Sequence, residues 1–228
     1  MRHTIGLSIG PPSESTGLVV LETGSPAPAG EEPPNLFERQ YAANSYRDLI
    51  SRRAPPAEPE PLRHAVRRIQ RFPPGTSYSS MRDAVGKLLE ALADPVVVLD
   101  RTGIGTPIAD SFRWPKASTI PVLLTAGERD TRARPRRLPR RDVADLLQLA
   151  LQERRLTIAK SALAADLAKD LRTFDPKPGN GAAGELAWRD RPSDDLVLAL
   201  CVALEEADRA PVYAAAVPRQ PARRLWGF

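Results

Sequence analysis

Pro95-Val96-Val97-Val98-Leu99-Asp100-Arg101-Thr102-Gly103-Ile104-Gly105 is the stretch on which the fold turns. Four apolar, strand-favouring residues run without a break from Val96 to Leu99 and stop at an acid. Upstream, residues 79–93 carry Met81, Val85, Leu88, Leu89 and Leu92 at helical spacing, and Pro95 ends that pattern. Downstream, Gly103 and Gly105 turn the chain into a short helix that ends near Trp114. A continuous apolar run between two helices predicts a strand covered on both faces.

The same reading extends in both directions. Residues 120–124 form a second buried strand, and helices follow at 141–155, 161–174 and 193–206. The last is apolar nearly all round from Leu196 to Leu204, so it belongs in the interior. Towards the N-terminus, 3–9 and 16–22 read as two strands joined at Gly10-Pro11-Pro12, and 63–72 as a third. An antiparallel β-meander followed by β-α units gives an α/β fold with a mixed central sheet and helices on both faces.

Composition removes several function classes. One cysteine, Cys201, rules out an internal disulfide and any cysteine-rich zinc site, and is expected in the core. Two histidines, His3 and His64, argue against a histidine-built metal centre, so a metal would have to be held by carboxylates. No run of about 18 apolar residues exists to span a membrane. Pro11, Pro12 and Glu14 interrupt any signal-like segment, so a cytoplasmic location is expected. The pattern GxxxxGK[ST] occurs nowhere, so no ATP-driven motor is expected. The net charge is only +5, but just five of the 33 basic residues are lysine. Arginine is the side chain suited to bidentate phosphate contacts.

Twenty-four prolines are distributed unevenly, and they mark the organisation. Residues 1–22 and 62–208 are read as one domain. Residues 23–61 are a Pro-rich insertion, in which 35–53 has the spacing of an amphipathic helix (Leu36, Phe37, Tyr41, Tyr46, Leu49). Residues 209–228 are a Pro/Arg-rich tail ending in Leu225, Trp226 and Phe228. The helix and the tail are the segments that would dock onto partner subunits.

Candidate chemistry sits where buried elements end in acids. Asp100 closes the central strand, at the place where open α/β sheets bind ligands, or alternatively caps the following turn. Ser193-Asp194-Asp195 opens the apolar helix, where capping requires only one such residue. Together these carboxylates offer hard oxygen ligands of the kind that Mg²⁺ takes. Seven arginines lie between 129 and 141 (Arg129, Arg132, Arg134, Arg136, Arg137, Arg140, Arg141), with Pro135 and Pro139 among them. This is read as an exposed loop that contacts phosphates, or simply as a solvated one.

In order along the chain, the blocks 5–21, 64–78, 97–105, 138–143 and 187–200 resemble the RNase H-like nuclease domain of bacteriophage and prophage terminase large subunits. The resemblance implies metal-dependent cleavage of double-stranded DNA inside a packaging complex with other phage subunits. It implies two Mg²⁺ or Mn²⁺ ions held by acids from the first strand, the central strand and the last helix. By position, Asp100 is the central-strand acid and either Asp194 or Asp195 the helix acid. The first-strand acid falls on Ser8, whose hydroxyl carries no charge. Glu14, in the hairpin turn, is the accessory acid whose longer side chain would have to reach the site. Ser193 and Arg140 likewise stand where the family carries histidine and lysine. Two functions therefore remain open: a metal-dependent endonuclease, and a non-catalytic DNA-binding or assembly module that kept the fold.

Overall fold

The structure is a computed structural model and describes residues 2–24, 61–102, 104–174 and 194–209. The insertion helix expected at 35–53, Ser193, the 187–189 block and residues 210–228 of the tail lie outside the described residues, whereas Arg209, read as the start of that tail, ends the last helix.

Seven strands form one sheet in the order β6-β5-β4-β1-β2-β3-β7. β1 (Arg2–Ser8), β2 (Thr16–Gly24) and β3 (Arg63–Phe72) make the antiparallel meander, with a register shift between Val20 and Leu21. β2 therefore includes Thr23 and Gly24, which the sequence assigned to the insertion. β4 (Val96–Asp100) lies parallel to β1, and β5 (Ser118–Thr125) parallel to β4. β6 (Arg136–Pro139) and β7 (Leu156–Ile158) are short parallel strands at the two edges. Only β2 runs against the rest, so six strands end at the same side of the molecule.

Strand alternation divides the core into two layers. On one face Ile5, Leu7, Leu18, Val20, Val97 and Leu99 pack under α1 (Tyr78–Glu90) and α2 (Thr106–Ser111). Phe112, fully buried, meets Tyr78 and Trp114 edge-on at centroid distances of 6.2 and 6.0 Å. On the other face Val19, Leu21, Val98, Val122 and Leu124 pack under α3 (Arg140–Gln152), α4 (Ala162–Thr173) and α5 (Asp195–Arg209). Helices cover both faces, as the apolar run through β4 predicts. Ser77 and Ser161 cap α1 and α4 by accepting from the Ser80 and Ala164 amides.

α5 is buried almost all round, and two glycines let it lie directly on the sheet. A Cβ on Gly6 of β1 would fall 1.8 Å from the Ala199 carbonyl oxygen, and one on Gly17 of β2 would fall 2.3 Å from that of Asp195. Glycine inside a strand marks such a close approach of two backbones. This contact seats the first turn of α5 over the ends of β1 and β2.

Candidate functional site

The carboxyl ends of the parallel strands gather Ser8, Asp100, Arg71, Arg140 and the start of α5 at one side of the sheet. Gly6 touches α5, so Ser8, two residues on, presents its side chain to the same face. Asp100 follows Val98 in the same alternation and is Ser8's register partner across the parallel pair. Ser8 at the end of β1 and Asp100 at the end of β4 thus lie side by side, at the end of the sheet over which α5 begins.

The side chains are arranged for mutual satisfaction. Ser8 Oγ donates to Asp100 Oδ2 at 3.2 Å, and Asp100 is fully buried. Asp100 Oδ1 accepts from the Thr102 amide at 2.9 Å and from the Thr102 hydroxyl. Thr102 Oγ in turn accepts from the Leu124 amide at 2.8 Å, which ties the turn after β4 to β5. The capping role weighed for Asp100 is thus realised in its hydrogen bonds.

Asp194 precedes α5 and accepts the Leu198 amide on its carbonyl, closing the first helical turn. Its carboxylate takes a hydrogen bond from Arg140 Nη2 at 2.6 Å. Arg140 begins α3, is itself buried, and its guanidinium carbon lies 5.2 Å from the Phe174 ring centroid. Asp195 faces the other way, held by Arg71 through Nε (3.0 Å) and Nη2 (2.8 Å). Arg71 Nη2 also donates to Asp170 of α4 at 2.5 Å. Burial works against the Arg71 charge, but its hydrogen bonds with Asp195 and Asp170 outweigh it and hold the pKa above the ordinary arginine value. The two neighbouring aspartates, which the sequence leaves indistinguishable, are therefore separated by their counter-cations.

Glu14 bends back towards the end of β1. A Cβ on Gly10 would lie 3.5 Å from Glu14 Oε2, which places that carboxylate against the residue two positions beyond Ser8. Among the described residues no group of three or more His, Cys, Asp or Glu side chains is arranged to hold a metal ion.

The 129–141 segment corrects one expectation. It is not an exposed loop throughout, because 136–139 pairs with β5 as an edge strand and Arg140 is buried. Asp130 organises what precedes it, pairing backbone to backbone with Arg137 and accepting from the Arg132 and Ala133 amides. Four of the arginines are paired with acids of the protein, Arg141 with Asp145 at the surface (3.7 Å). Arg129 reaches Glu205 (2.7 Å) and Asp142 (3.0 Å), Arg136 reaches Glu206 (2.6 Å), and Arg140 reaches Asp194. Arg132, Arg134, Arg137 and Arg141 are exposed.

Sequence reading missed Arg71 and Asp170, because nothing in a strand or helix pattern announces an ion pair spanning 99 residues. Cys201 lies in the core as expected, with its thiol pushed up to about 12 by burial. His64 is buried between Thr23 and Asp208. No helix among the described residues is long and apolar enough to cross a membrane.

No protein-family model matches this sequence, and no curated protein does either. The fold matches crystal structures of the large terminase nuclease from thermophilic phage G20c. One, with bound cobalt, has a TM-score of 0.53 and 16% identity over 90% of this chain and 81% of its own. Another gives 0.53 and 17% over 90% and 82%. A third, with bound magnesium, gives 0.51 and 17% over 90% and 81%. The α/β architecture expected from the sequence, a mixed central sheet with helices on both faces, is the observed one, and its likeness is to the fold of the large terminase nuclease of phage G20c.

Proposed function

We propose that this chain is a domain of the terminase nuclease fold that binds duplex DNA without hydrolysing it. One observation carries the reading: the register partner of Asp100 is Ser8, a neutral hydroxyl that donates to the carboxylate instead of adding a second one. A two-ion site needs several negative oxygens pointed at shared cations. Here Asp194 and Asp195 are matched to Arg140 and Arg71, so the described residues do not fit a pair of divalent ions. Phosphate contact is assigned to Arg132, Arg134, Arg137 and Arg141, which are exposed on and beside edge strand β6. A role as an assembly module among phage packaging subunits is compatible with the same chemistry.

A second reading, a Mg²⁺- or Mn²⁺-dependent DNA endonuclease, is favoured by the retention of Asp100 and Asp194 as buried carboxylates at the carboxyl end of the sheet. Incubating supercoiled plasmid with the protein and Mn²⁺, beside an Asp100→Ala control, separates the two. Retarded plasmid with no nicking by either protein is the expected result. Nicking by the wild type that disappears in Asp100→Ala would overturn the proposal and establish the endonuclease.

A further inference from the structure

We infer that the carboxylates at the carboxyl end of this sheet are occupied by the protein's own hydrogen-bond donors in place of divalent cations, and that Ser8 is the residue that keeps such cations out. This rests on the reading that the chain does not cleave DNA by metal ions. Asp100 has room for about four hydrogen bonds as an ionised carboxylate. Ser8 Oγ, the Thr102 amide and the Thr102 hydroxyl supply three of them. Arg140 is the counter-cation of Asp194, and Arg71 that of Asp195, each within hydrogen-bond distance. The carboxylates of Asp100, Asp194 and Asp195 are therefore all engaged by donors of the protein, Asp100 by neutral ones and Asp195 by an arginine it shares with Asp170.

Geometry singles out position 8 as decisive. Ser8 Oγ stands 3.2 Å from Asp100 Oδ2, so the side chain at position 8 is aimed at that carboxylate. A carboxylate at position 8 would remove the donor and set a second negative oxygen beside the first. Two carboxylates so close cannot both stay ionised without a cation or a shared proton. Asp194 would keep its arginine, so the new site would be built on positions 8 and 100.

The test uses the full chain and Mn²⁺ alone, with binding read by electron paramagnetic resonance and stability by thermal melting. Wild type is expected to show no stoichiometric Mn²⁺ binding and the same melting temperature with Mn²⁺ as with EDTA. Ser8→Asp is expected to bind Mn²⁺ at least about tenfold more tightly than wild type and to melt higher with Mn²⁺ than with EDTA. Adding Asp100→Asn to Ser8→Asp should erase both gains. A folded Ser8→Asp that gains nothing overturns the assignment of position 8 while leaving the DNA-binding reading standing. If Ser8→Asp does not fold, wild type is compared with Asp100→Asn. Stoichiometric Mn²⁺ binding by wild type that is lost in Asp100→Asn overturns the inference, and equal absence of binding supports it. Plasmid nicking by wild type would instead overturn the reading on which the inference rests.

Discussion

Arg140 and Asp194 meet at 2.6 Å with side chains only 5% and 8% exposed, 54 residues apart in sequence. The pair joins the start of α3 to the start of α5, so it fixes the two helices that roof this end of the sheet. Truncating one partner leaves the other charge buried, at a cost of about 3–5 kcal/mol. Arg140→Ala should lower unfolding stability in urea by that amount. Replacing both residues by apolar ones of similar volume should cost much less, because neither charge is then stranded. Equal losses in the single and double variants would show that packing, not charge, sets the effect.

Gly6 carries the seat of α5. A methyl group there would meet a backbone carbonyl at 1.8 Å, and backbone cannot move aside as a flexible side chain can. Gly6→Ala should therefore destabilise by about 3 kcal/mol or more, at the upper end of overpacking effects. Gly24→Ala is the control, since nothing lies within 4 Å of a Cβ at that position. Similar melting temperatures for the two variants would refute the close approach of helix and sheet.

The ion pair and the glycine seat also show what a sequence reveals and what it hides. β4 was legible because four apolar residues between helices leave few alternatives, and α5 because its apolar residues circle the whole helix. β6 and β7 were not, since strands of four and three residues carry no period. β6, moreover, sits in a segment broken by Pro135 and Pro139 and full of arginine. Its charges are tolerated because Glu205 and Glu206 of α5 lie across from Arg129 and Arg136. That complementarity exists only after folding. Asp100, Asp194 and Asp195 could be named from their places at element ends. The partners of the last two could not, as Arg140 and Arg71 reach them from α3 and β3.

Asp208 should govern part of the acid limb of stability. The hydrogen bond from His64 holds its carboxyl below the usual aspartate range against the opposing effect of burial, with Arg155 adding charge and a second hydrogen bond. Because the folded value is depressed, the contribution is fully present above the unfolded value of about 3.9 and is lost as pH falls through the folded one. Asp208→Asn should therefore be less stable than wild type at neutral pH. The gap should close as pH drops below about 4. A constant gap between pH 7 and pH 3 in urea titrations would rule out this linkage.

The exposed arginines make a prediction about DNA that separates them from neighbours committed to Glu205, Glu206 and Asp194. Removing a single phosphate-binding cation should reduce the slope of log affinity against log salt by about 0.9 on duplex DNA. Arg132→Ala, Arg134→Ala and Arg137→Ala together should flatten that slope by roughly three times as much while leaving the melting temperature unchanged. Sequence preference should not alter, because phosphate recognition carries no base information. Arg136→Ala should do the opposite. Its guanidinium is committed to Glu206 at 2.6 Å, so its removal should lower stability and leave the salt slope intact. Fluorescence anisotropy on one duplex across a salt series measures the slope, and thermal melting the stability. An unchanged slope in the folded triple variant would remove this edge of the sheet from the DNA interface.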